Sequence, residues 1–220
     1  MHVRAASIAA LPSELADIIL YKLPKCDVRA LCRRCLRIAD ETTTSLFVSQ
    51  ARCTGHVDLR RFPSLTTFVC LATDAVFEAS LCVNLTVLNC SNTPIAELDV
   101  TRCENLRELR CNYTRITELD VSRCPALTAL QCCIAPLTTL DVTRCANLRE
   151  LYCYSTGIAQ LDLRRCPSLR ILHCSNTPLT ELDLTACAEL HEVYCQSTLI
   201  TKLDLSNCVK LTRRHFYAFG

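Results

Sequence analysis

The chain has 220 residues, with 24 Lys and Arg against 22 Asp and Glu, a formal net charge of +2, half of its residues apolar, and 19 cysteines. That length allows one ordinary domain or a small one joined to an elongated one, and the near-neutral balance gives no electrostatic basis for a nucleic-acid or membrane-surface partner. The apolar run near the N-terminus is broken by Glu14 and Asp17, so neither a membrane span nor a secretion signal is read there, and a cytoplasmic or nuclear location is expected. Without such a signal, an odd cysteine count favours reduced thiols serving as small apolar side chains over a disulfide framework.

In chain order, residues 1–56 are expected to form a small all-α segment. Leu15, Ile18 and Ile19 share one helical face, Pro12 suits a first turn, and Pro24 ends what precedes it. A second helix is expected to open after Asp27, with Val28, Leu31, Cys32, Cys35 and Ile38 at helical spacing. Helices this short cannot bury a core alone. The residues Leu11-Pro12-x-Glu14-Leu15-x-x-x-Ile19-Leu20-x-x-Leu23-Pro24, then Asp27-Val28 and Leu31-Cys32-Arg33-Arg34-Cys35-Leu36-Arg37-Ile38-Ala39-Asp40, resemble an F-box, with Cys35 where tryptophan is usual. The resemblance implies that Leu11, Pro12, Leu15, Ile19 and Leu31 dock the small adaptor of a cullin–RING ubiquitin ligase. The plainer reading is that these residues cap the open end of a repeat array occupying the rest of the chain. Cys32, Cys35, Cys53 and His56 have the spacing of a structural zinc site, a weak candidate because the first two already belong to the helical apolar pattern.

Residues 57–220 are expected to form a solenoid of about seven turns plus a terminal cap. A block of 21 residues recurs six times from Leu85 to Lys210, starting at Leu85, Leu106, Leu127, Leu148, Leu169 and Leu190, and a looser copy starts at Leu65. Its core, L-x-x-L-x-C-x-x-T-x-I, resembles the leucine-rich repeat, with cysteine for leucine at position six and mostly threonine for asparagine at position nine. Period-two alternation at positions three to seven predicts a short strand, with Leu109 and Cys111 inward and Glu108, Arg110 and Asn112 outward. A second extended triplet, such as Leu119-Asp120-Val121, is expected on the opposite side. No room remains for a helix, so the repeats should stack as a flattened coil with one parallel sheet.

Two more columns accompany the strand. Cysteines recur at position nineteen (Cys103, Cys124, Cys145, Cys166, Cys187, Cys208), where a disulfide between every neighbour would demand strict geometry. Aspartates recur at position fifteen (Asp99 to Asp204); each is expected to accept turn N–H groups beside the arginine at position eighteen, and a calcium ridge is the alternative.

Solenoids of this kind bind partners on the exposed face of the sheet. The outward columns supply Glu108, Arg110, Tyr113, Gln131, Glu150, Tyr152, Tyr154, His173, Glu192 and Tyr194, alongside Ala129, Cys133 and Ile171. Four of the six tyrosines lie here, and tyrosine gives large contact area at low entropic cost, although it is also a good exposed strand former. Catalysis finds no local motif: Gly55 and Gly157 are isolated, and His173 and Cys174 should point to opposite faces. No enzyme activity and no cofactor are therefore expected. The resemblances together imply a monomeric substrate-recognition adaptor of a ubiquitin ligase, with a protein target on the sheet and no nucleic acid or membrane. The alternatives are a non-ubiquitin interaction scaffold or pathogen effector built on the same solenoid, and a secreted repeat protein with oxidised thiols and glycans at Asn84 or Asn112.

Overall fold

The computed structural model describes residues 44–49, 55–57, 59–71 and 75–215. Eleven strands occur among them: β1 Ser45–Ser49, β2 Gly55–Val57, β3 Thr67–Leu71, β4 Ala75–Phe77, β5 Val87–Asn89, β6 Glu108–Arg110, β7 Ala129–Gln131, β8 Glu150–Tyr152, β9 Ile171–His173, β10 Glu192–Tyr194 and β11 Arg213–His215. Nine of them make one all-parallel sheet in the order β1-β3-β5-β6-β7-β8-β9-β10-β11, and β2 pairs with β4 in a second, two-stranded sheet. From β5 onward each strand pairs with the strand 21 residues further along in unshifted register, as in Leu109↔Leu130 and Leu130↔Leu151. The only helical elements in the described residues are two short 3-10 turns, Leu59–Arg61 and Ala79–Leu81.

The core runs along the inside of the coil. The leucines at positions one and four, the cysteines at positions six and nineteen and the aliphatic residues at position eleven are buried in almost every turn, and Phe62 and Phe68 are fully buried at the N-terminal end of the same core. Each fully buried leucine contributes about 2 kcal/mol of apolar transfer, so seven stacked turns cohere without a helix to cover them.

The strands are shorter than the alternation suggests. From β5 onward regular pairing covers positions three to five only, but the ladder continues beyond it: the N–H of Cys111 donates to Gln131 at 2.8 Å, and that of Tyr113 to Cys133 at 2.9 Å. The break comes at position eight, where Asn92, Tyr113, Ile134, Ser155, Asn176 and Ser197 all adopt a left-handed backbone with φ between 54° and 60°. Threonine at position nine then closes the bend: the hydroxyls of Thr93, Thr114, Thr156, Thr177 and Thr198 donate to the carbonyl three residues back at 2.6 to 2.9 Å. Threonine thus satisfies a turn carbonyl, in place of the asparagine usual in the repeat pattern.

On the return side the extended triplets pair as a sheet only in β2 and β4; in the later turns they run parallel without regular pairing. Two consecutive tight turns carry the chain back, as in Cys124 N–H to Val121 and Leu127 N–H to Cys124. The cysteine between them also uses its thiol. Cys103 donates Sγ–H to the Ala79 carbonyl at 3.4 Å, and Cys124 to Val100 at 3.6 Å, each reaching the preceding coil. Position nineteen therefore needs a side chain that is small, apolar and weakly donating, which is why cysteine recurs. The cysteines of this column and those from Cys90 to Cys195 at position six are thiols.

The aspartate column does what the sequence suggests with different neighbours. Asp99, Asp120, Asp141, Asp162, Asp183 and Asp204 each accept the N–H of the residue two further on at 2.8 to 3.0 Å. The arginines at position eighteen do not form close pairs with them. Direct contacts come from position seventeen instead, through the hydroxyls of Thr101, Thr143 and Thr185 or the guanidinium of Arg164, 2.7 Å from Asp162.

The sheet begins earlier than the expected boundary at residue 56, because β1 already pairs with β3. The helices expected in the first 43 residues, and with them Leu11, Pro12, Leu15, Ile19 and Leu31, lie outside the described residues, as do Cys32, Cys35 and Cys53.

Candidate functional site

The parallel register stacks equivalent outward residues into rows across the sheet. Position five reads Asn89, Arg110, Gln131, Tyr152, His173 and Tyr194, and position three reads Val87, Glu108, Ala129, Glu150, Ile171, Glu192 and Arg213. All of the candidate residues from Glu108 to Tyr194 therefore lie on one surface, half-buried or exposed.

The aromatic members touch. The His173 ring lies 4.6 Å from Tyr154, 5.1 Å from Tyr194 and 6.3 Å from Tyr152, measured between centroids, so one imidazole joins three tyrosines across three coils. Packing among the rings withdraws His173 from water and lowers its pKa. Burial, and then the charges of Glu150 and Glu192, raise the pKa of Tyr152. Tyr113 extends the row to the rim, where it is 52% exposed, and its hydroxyl interacts with Tyr154.

Cys133 departs from expectation. It lies in an outward column, yet it is only 2% exposed and outside the core cluster, because Tyr154 of the next coil lies over it. Burial pushes its thiol up to about 11. His173 and Cys174 do point to opposite faces, the former among the tyrosines and the latter in the core, so no nucleophile and base meet there.

The charged residues are organised by strand. Arg110 pairs with Glu108 two residues away on β6. Glu192 accepts the Tyr194 hydroxyl at 2.9 Å and lies 3.3 Å from the Arg213 guanidinium. Arg213 is absent from the residues read from the sequence, although the repeat register places it opposite Glu192. The described residues contain no group of three or more His, Cys, Asp or Glu placed to hold a metal, and only the backbone of His56, in β2, is described for the zinc candidate.

Residues 146–186 match the family model for leucine-rich repeats in two copies. About four-fifths of the chain superimposes on solved leucine-rich-repeat structures. The solenoid is a leucine-rich-repeat fold. It is similar to the functional domain of InlJ from Listeria monocytogenes, described as including a cysteine ladder, with a TM-score of 0.66 and 27% identity over 81% of this chain and 45% of that one. This chain thus spans less than half the length of the InlJ domain. Internalin C2 of the same organism gives a TM-score of 0.69 with 17% identity over 80% and 82% of the two chains. TLR13, solved in complex with ssRNA13, gives 0.59 with 20% identity over 72% of this chain and 25% of its own. No curated protein matches the sequence.

Proposed function

We propose that this leucine-rich-repeat chain is a non-enzymatic interaction scaffold whose exposed sheet face holds a protein partner. The observation that carries the reading is the contiguous aromatic row of Tyr152, Tyr154, His173 and Tyr194 on a surface that the fold itself does not need to cover. Rings already packed on one another lose little freedom on binding, and each keeps a polar tip. Likeness to the internalin structures supports a scaffold better than a ubiquitin-ligase adaptor. The adaptor reading rests on the F-box resemblance within residues 1–56.

The test is affinity capture with the full chain, comparing wild type with the Tyr152→Ala, Tyr154→Ala, Tyr194→Ala triple variant and with a return-side control, Asp141→Asn. Partners lost from the triple variant and kept by the control are the expected result. An identical set from all three proteins overturns the assignment of the sheet face.

A further inference from the structure

Position three of the sheet carries a glutamate on alternate coils: Glu108, Glu150 and Glu192. The outer two each hold a guanidinium from this chain, Arg110 on Glu108 and Arg213 on Glu192. The carboxylate of Glu150, the middle one, makes no hydrogen bond or ion pair among the described residues. The register shows why. Its cross-strand neighbours are Ala129 and Ile171, and the next outward residue on its own strand is Tyr152, so no cation shares its row, and the exposed Arg149 and Arg170 at position two form no ion pair with it.

The surroundings of Glu150 suit a guanidinium. Ile171 forms an apolar floor between Glu150 and Glu192, about 4.8 Å from each strand. Tyr152, His173 and Tyr194 line the same three strands one row further on. A guanidinium is planar, forks onto a carboxylate and stacks on aromatic rings, which an ammonium does less well. Covering a half-buried carboxylate with an uncharged ligand would instead cost its hydration without return.

We propose that this patch is a receptor for an arginine side chain of a protein partner, with the guanidinium paired to Glu150, resting on Ile171 and set against the Tyr152 and His173 rings. The inference rests on the reading of the sheet face as protein-binding and supplies the chemistry of its central contact.

The test uses the full chain and N-acetyl-arginine methylamide as probe, with the tyrosine and histidine ring signals followed by NMR at pH 7.5. Saturable shifts at Tyr152 and His173 are expected, with no such shifts from the isosteric, uncharged citrulline derivative. Glu150→Gln should weaken binding about threefold or more, whereas Glu108→Gln, whose carboxylate is already paired, should not. Thermal melts establish that both variants fold. No saturable shift with arginine, equal shifts with citrulline, or unchanged affinity in Glu150→Gln overturns the proposal. If the arginine probe fails while the triple tyrosine variant still loses its partners, the arginine site falls and the binding face stands. If the triple variant keeps every partner, the face falls and the arginine site loses its role.

Discussion

Ile134 donates its backbone N–H to the Tyr154 carbonyl at 3.1 Å from a left-handed conformation with φ of 54°. Five other coils place Asn, Ser or Tyr at that position. A β-branched side chain there crowds the following carbonyl, at a cost of about 1 to 2 kcal/mol, whereas asparagine tolerates the region. Ile134→Asn should therefore raise stability by about 1 kcal/mol, read as a higher midpoint in urea with an unchanged slope.

The neighbouring position offers a paired experiment. Ala135 stands where Thr114 and Thr156 stand in the adjacent coils, and those hydroxyls hold the carbonyls of Cys111 and Cys153 at 2.9 and 2.7 Å. Ala135→Thr should supply the same bond to Cys132 and stabilise by about 1 kcal/mol. Thr156→Val, which keeps the shape and deletes the donor, should cost about 1 to 3 kcal/mol because a buried carbonyl loses its partner. A failure of Ala135→Thr to stabilise, with Thr156→Val also neutral, would show that the threonine column is decorative.

How much of this was legible beforehand depends on which residues repeat. The coil, the inward leucines and cysteines and the parallel register come from a period of 21 kept without insertion, since a single slip would turn Leu109 or Leu130 outward. Strand length was not legible, because the left-handed residue at position eight has no fixed identity: Asn92, Tyr113 and Ser155 share a φ and nothing else. The site was half legible. Alternation placed Glu150, Tyr152 and His173 on one face, but it could not show that Tyr154 covers Cys133, or that Arg213 reaches Glu192, since both cross between coils.

Acid should unfold the coil through its aspartate column. Hydrogen bonds from the residue two positions on hold the carboxyls of Asp99, Asp120, Asp141, Asp183 and Asp204 below their ordinary 3.8, and the Arg164 side chain with its N–H brings Asp162 to about 2. A folded-state value below the unfolded one means that the stabilisation is complete above pH 3.8 and disappears as pH falls through the folded values. Melting temperature should hold down to about pH 4 and drop steeply toward pH 2. Asp141→Asn keeps an oxygen acceptor for the turn but no titration, so its melting temperature should fall less over the same interval.

The cysteines set the opposite limit. Burial pushes Cys111 and Cys153 of the sheet-side column up to about 12, and Cys124 and Cys166 of the return-side column up to about 11, from an ordinary 9.0. Here the folded-state values lie above the unfolded one, so the stabilisation is complete below pH 9 and lost as pH rises through 11 and 12. The thiolate is the reactive species, and in the folded chain these residues lack both charge and access. Iodoacetamide at pH 8 should leave both columns unlabelled in native protein, and all 19 cysteines should react after unfolding in guanidinium. Peptide mass spectrometry separates the two populations. Rapid native labelling of Cys111 or Cys153 would mean that the coil opens locally far more readily than continuous burial of its core allows.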